Sequence, residues 1–307
     1  MPLHYACIML RGLSGVLLLS TLSAMSQYEF ERQVPSRYLA TNRTVRVRLP
    51  QSYWRETNRR YPVLYVHDGQ NVFASAGPHC CFGWGSWQLD TTADRLAAEG
   101  RMQEIIIVAI DNSRFRYQEY RGPVPDDAPS RYTNYAAFLV KELKPWVDKE
   151  YRTKKTARDT AVLGSSMGGI CSIALAWEHP KTFGAAASLS GAFQVEKRYF
   201  IEKVLKPYDG RVKPVRLYLD SGTIDFTGDD DGRRHTIAVV DELRRIGWKD
   251  GKNLQHFVQE QSFTDDELQR SGVQSHKRDE AKKSHHNEFY WRERVWRALI
   301  FLFPSKN

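Results

Sequence analysis

Apolar residues in this chain gather in short, nearly unbroken runs. Residues 62–66 (PVLYV), 104–110 (EIIIVAI) and 215–219 (VRLYL) are apolar or nearly so, and 185–189 (AAASL) is a weaker run of small residues. Runs this short, with little alternation, suit strands buried on both faces, as in a parallel sheet covered by helices. Residues 44–49 (TVRVRL) alternate instead, which predicts a half-exposed edge strand. Helical spacing occupies 87–99, 135–149, the stretch after 166 that Pro180 ends, and 236–246. Strand and helix patterns therefore alternate along the chain. That order predicts an α/β fold with a mostly parallel central sheet and helices on both faces. No internal repeat or low-complexity linker interrupts it, so residues 25–307 are read as a single domain. Residues 262–284 stand apart as a polar, charge-rich insert near the carboxyl end.

The first 24 residues follow a different pattern. Arg11 precedes a short apolar run at 13–22, and small residues at 22–24 offer a cleavage point. This reads as a secretory signal peptide, with an uncleaved anchor as the alternative, and the run is too short to span a bilayer. The expected location is secreted or periplasmic. A hydrophobic fraction of 41% supplies a core and excludes a disordered chain. The net charge of +9 is dispersed, with no basic-aromatic stripe of the kind that binds nucleic acid. Cys7 lies in the leader. Cys80, Cys81 and Cys171 remain, with no zinc spacing among them, and Cys171 is read as a small buried hydrophobe.

Candidate chemistry centres on residues 160–169 (TAVLGSSMGG), a short apolar strand followed by Gly-x-Ser-x-Gly and then a helix. That context marks a nucleophile elbow, in which a strained turn presents the serine hydroxyl to substrate. Ser166 is the expected nucleophile. A serine hydroxyl needs a histidine base oriented by a carboxylate, following in chain order as acid and then histidine. In such sheets the acid lies just past the carboxyl end of a strand. Asp225 is placed best for it in the loop after 215–219, with Asp220 as the alternative. Asp229 to Asp231 read as caps of the next helix.

Among nine histidines, His286 falls after the last strand and directly before an aromatic-rich helix. It is preferred to its neighbour His285 as the base. Oxyanion donors are expected at the amide of Met167 and in the turn after 62–66, at the amide of Gln70. Trp84 and Trp87 are read as aromatic walls for an acyl group or sugar, with core packing as the other reading.

Several segments together resemble the Putative esterase family of α/β-hydrolases, which takes in esterase D-like proteins, feruloyl esterases and enterochelin-type siderophore esterases. The matching residues are 61–71 (YPVLYVHDGQN), 110–113 with Arg116 and Glu119-Tyr120, and 151–153. They continue through 164–169, 222–225, and 286–288 with Trp291 and Arg294. The resemblance implies an α/β-hydrolase fold and hydrolysis of carboxylic esters by Ser166, Asp225 and His286. It implies no metal or organic cofactor, and a small-molecule or polysaccharide-linked ester as substrate. The insert at 262–284 departs from it, because family members bring the histidine in soon after the last strand.

Overall fold

The apolar runs become the middle of a sheet, where the strands Val63–His67, Ile106–Ile110, Thr160–Ser165 and Ala185–Leu189 are buried at every position. The structure is a computed structural model that describes residues 28–124 and 131–305, so the leader at 1–24 lies outside the described residues. Within them, eight strands form one sheet in the order β1-β2-β4-β3-β5-β6-β7-β8. They are β1 (Glu29–Val34), β2 (Arg43–Arg48), β3 (Val63–His67), β4 (Ile106–Ile110), β5 (Thr160–Ser165), β6 (Ala185–Leu189), β7 (Arg216–Ser221) and β8 (Leu254–Val258). Strands from β4 through β3 to β8 are parallel, whereas β1 and β2 join antiparallel.

Neighbouring residues of one strand feed opposite cores, which is why the runs do not alternate. Val63 and Tyr65 pack into one core, Leu64 and Val66 into the other. The first core is closed by α2 (Met167–Glu178), α3 (Arg233–Ile246) and a helical stretch at 131–150. The second is closed by α1 (Leu89–Ala98) and α6 (Glu288–Leu302), through residues such as Leu96, Val295 and Leu299. Each fully buried Val, Leu or Ile side chain contributes roughly 1.5–3 kcal/mol, so the five covered positions of β4 form a strong centre.

The segment read as an edge strand has a neighbour on each side. β1 pairs along its full length with β2, and the exposed edge is β1. Three of the six β1 residues are exposed and its composition is polar, so no buried face marks it in the sequence. The charged insert is also more structured than its composition suggests. It forms α4 (Asp265–Arg270), opened by a Thr264–Glu267 capping box, and α5 (Ser275–Lys283). Leu268, Val273 and Ala281 from it pack with Trp84, Phe289 and Tyr290 in a small separate core.

His67 ends β3 wholly buried. Its Nδ1 lies 2.9 Å from the Tyr135 hydroxyl, and its Nε2 has no partner among the described residues. Burial, helped by the Arg116 and Arg43 charges and opposed by that of Asp68, pushes its pKa down to about 3. The folded chain therefore binds fewer protons than the unfolded one between that value and the ordinary histidine range. The resulting stability is fully present above about pH 6.5 and is lost as pH falls toward 3, by about 1.4 kcal/mol per pH unit. Urea unfolding of wild type and His67→Asn between pH 7 and 4 measures this, and the variant should lose that part of the slope. An identical slope in the two would show that His67 is not responsible.

Candidate active site

β5 ends at Ser165 and α2 begins at Met167, which leaves Ser166 alone on the turn at φ 51°, ψ −120°. A serine adopts positive φ only where its surroundings enforce it. Here the enforcement is backbone contact. The Ser166 amide donates to the Leu189 carbonyl at 2.9 Å, and the Ser166 carbonyl accepts from the Ala192 amide at 2.9 Å. Gly164 and Gly168 allow the turn to close, since a Cβ on Gly164 would stand 2.5 Å from the Gly168 backbone. Ser166 opens onto a cavity of about 550 Å³, whose wall also includes Gln70, Trp87, Arg116, Glu288 and Trp291.

His286 stands beside this cavity, with its ring 5.1 Å from that of Trp291 and 6.3 Å from that of Phe226. Its Nδ1 lies 2.6 Å from Oδ1 of Asp231, not from Asp225. This corrects the expectation for the acid. Asp225 is committed to its own loop, where Oδ1 accepts from the amides of Thr227 and Asp229 and from the Thr227 hydroxyl. Asp220 is fully buried at the end of β7, where it pairs with Arg294 at 3.0 Å and accepts from Tyr218 at 3.1 Å. Asp229 and Asp230 do serve the start of α3, through Arg234 and its amide. Asp231 is turned the other way because its own backbone is left-handed, at φ 54°, and Gly232 follows at φ 68°.

The buried Asp231 carboxylate is well provided with donors. Oδ2 accepts from the Ser190 hydroxyl at 2.7 Å and from the Gly222 amide, with Arg294 at 3.8 Å. Burial alone would raise its pKa. The hydrogen bond and charge of His286, together with Arg294, outweigh that and hold the carboxyl below its usual range. His285 is engaged elsewhere. Its Nδ1 accepts from the Thr223 amide at 3.2 Å, and its Nε2 meets the Ser262 hydroxyl at 2.8 Å, which ties the insert to the β7 loop.

Gln70 sits in the tight turn Gly69–Asn71 that follows β3. Asp68 precedes it at φ 57° and is clamped by Arg116, through Nε at 2.7 Å and Nη2 at 2.8 Å, and by Asn112 Nδ2 at 2.6 Å. The turn also presses on β4, because a Cβ on Gly69 would meet the Ala109 and Ile110 backbone at 2.6 Å. The amides of Gln70 and Met167 have no acceptor among the described residues. Met167 is the first residue of α2, where an amide has no intrahelical partner.

The two tryptophans part company. Trp87 packs in the second core, 1% exposed, and reaches the cavity wall beside Trp291, their rings 5.7 Å apart. Trp84 belongs to the small core under the insert, with Lys277 4.8 Å above its ring, and does not line the cavity. Cys80 and Cys81 are free thiols with Sγ atoms 3.3 Å apart, and Cys171 is buried and free. Glu288 is the wall residue that motif reasoning left without a role. Burial and the Asp68 charge push its carboxyl up to about 7, against a hydrogen bond from its own amide and the opposing charges of His286 and Arg116. Among the described residues no helix is long and apolar enough to cross a membrane.

The family model described as Putative esterase matches residues 36–302, which contain the strands from β2 to β8 and every residue of the cavity wall and its surroundings described in this subsection. The chain belongs to the Putative esterase family. This esterase is a carboxylic ester hydrolase of the α/β-hydrolase fold. It is 30% identical over 158 residues to an esterase of Mycobacterium tuberculosis, Rv1288, covering 52% of this chain and 31% of that protein. The chain thus spans about a third of that relative. A solved ferulic acid esterase superposes with a TM-score of 0.66 at 21% identity, covering 90% of this chain and 97% of that one. The enterochelin esterase of Shigella flexneri gives a TM-score of 0.63 at 19% identity, over 89% and 57%. At these identities the two structures speak for the fold.

Proposed function

We propose that this esterase works through Ser166, His286 and Asp231, on a feruloyl- or acetyl-type ester of a polysaccharide, outside the cytoplasm. The observation that carries the reading is the 2.6 Å contact between Asp231 and His286, set beside the cavity onto which the Ser166 turn opens. Ser166 Oγ attacks the ester carbonyl and its proton passes to His286 Nε2. Asp231, held ionised, keeps the imidazole in the tautomer that leaves Nε2 free and stabilises the imidazolium that forms. Amides of Met167 and Gln70 receive the oxyanion. His286 then protonates the departing alcohol, and water repeats the sequence to release the acid.

A cavity of about 550 Å³ walled by Trp87 and Trp291 suits an acyl group with one aromatic ring. The ferulic acid esterase neighbour supports the same substrate class, and residues 1–24 support export. The Shigella flexneri neighbour favours a siderophore ester as the second reading.

The test is a panel of p-nitrophenyl acetate, methyl ferulate, acetylated xylan and a catecholate siderophore with the purified protein. Free acid should appear fastest from methyl ferulate or acetylated xylan. Fastest cleavage of the siderophore would replace the substrate class. An acyl group recovered on added sugar, with no free acid, would make the protein a transferase on the same fold.

A further inference from the structure

Cys80 and Cys81 are adjacent, half-buried and free, and the mechanism uses neither. In an extended chain neighbouring side chains point to opposite faces. Here Cys81 and Phe82 are both left-handed, at φ 56° and 58°, and the two sulfurs stand 3.3 Å apart. Residues other than glycine hold such backbone only where the surroundings impose it, and they gather at active sites and switch segments. The Cys80 thiol donates to the Gly77 carbonyl at 3.3 Å, and the Cys81 thiol donates to the Cys80 sulfur. Cys81 and Phe82 line the cavity onto which Ser166 opens, and Cys81 also packs against the small core under the insert. A change of backbone at this pair is therefore a change in the cavity wall.

We propose that Cys80 and Cys81 are a redox modification site, a vicinal dithiol that closes to a disulfide and in closing reshapes the Ser166 cavity. The oxidant is a low-molecular-weight disulfide. One cysteine thiolate attacks a sulfur of that disulfide and releases one thiol. The neighbouring thiolate then attacks the cysteine sulfur of the mixed disulfide and releases the second. Two electrons pass from the cysteine pair to the oxidant, and the two cysteine protons end on the two released thiols. Burial, helped by the Glu288 charge, holds both thiols above the usual range, so exchange draws on a small thiolate fraction and quickens as pH rises. Adjacent Cα atoms stand about 3.8 Å apart, short of the usual disulfide span of about 4.4–6.8 Å. The ring therefore forms only with a rearranged backbone at 80–81, and a reductant reopens it readily. Disulfides persist outside the cytoplasm, where the proposed export places the chain, so the pair there follows the local thiol–disulfide balance. The effect on catalysis rests on the Ser166 reading, whereas the chemistry of the pair does not.

The experiment treats the purified protein with excess oxidised glutathione at mildly alkaline pH, blocks remaining thiols with N-ethylmaleimide and digests with trypsin. Residues 61–95 form one peptide that contains both cysteines and not Cys171. That peptide should carry no maleimide and weigh two hydrogens less than the free dithiol, and dithiothreitol before blocking should reverse this. A peptide that still takes up maleimide, or that ends as a stable glutathione adduct, overturns the site. Cys80→Ser lacks the partner thiol and should never lose the two hydrogens; if it does, the bond lies elsewhere and the site falls. Steady-state kinetics then compares the open and closed forms of wild type on the ester that the open form cleaves fastest. Closure should lower kcat/KM about 10-fold, mostly through KM, since a displacement of about 1 Å in a site can cost about 10²-fold. Equal kcat/KM in the two forms overturns the reshaping of the cavity. Failure of the open form on every ester would instead overturn the hydrolase reading, and the peptide mass would still judge the dithiol.

Discussion

Ser166→Ala should lose about 10⁴- to 10⁶-fold in kcat while melting within a few degrees of wild type. The magnitude follows from what remains. Without Oγ no acyl-enzyme forms, and only the oxyanion donors and substrate binding act on an attacking water. The fold should survive because the turn is held by backbone contacts, from Ser166 N to Leu189 and from Ala192 N to Ser166 O, which alanine keeps. Alanine at φ 51° retains the strain of the wild type and adds no bulk. Stopped-flow traces with p-nitrophenyl acetate should show no burst of nitrophenol. Turnover within tenfold of wild type would remove Ser166 as nucleophile.

The second large effect separates two neighbouring carboxylates. Asp231→Asn should lower kcat about 10³- to 10⁴-fold, because an amide facing Nδ1 can donate its own N–H and so favour the wrong imidazole tautomer. It also removes the anion that stabilises the imidazolium. Asp225→Asn should stay within about threefold of wild type, with at most about 1 kcal/mol of lost stability from its loop hydrogen bonds. The contrast is diagnostic because both residues follow β7 in the same loop. If Asp225→Asn is the inactive variant and Asp231→Asn the active one, the acid assignment is reversed. Asp231 also links stability to pH with a definite sign. Its folded pKa lies below the ordinary value, so its contribution to stability is present above about pH 4 and fades as pH falls through the lowered value.

Much of this was legible before any coordinates. The central strands could be read because they are buried on both faces, and apolar runs such as IIVAI at β4 have few other places to go. The elbow could be read because its constraints are local. Gly164, Ser166 and Gly168 meet across a single turn, and the steric demand of 2.5 Å between Gly164 and Gly168 is written in adjacent residues. His286 could be placed by its position between the last strand and an aromatic helix. β1 could not, because its polar residues gain stability only by pairing with β2, a non-local contact that leaves no periodic mark. Trp84 and Trp87 show the same limit three residues apart, since one went under the insert and the other onto the cavity wall.

The amino-acid sequence alone determined the α/β architecture and the strained turn at Ser166, because each depends on burial patterns or on contacts between near neighbours. The tertiary structure decided which aspartate meets His286. Asp225 and Asp231 have identical side chains in the same loop, and helix capping looked the natural use for the second. What separates them is a left-handed backbone at Asp231 and a socket made by Gly222 of the same loop with Ser190 and Arg294 from two distant segments.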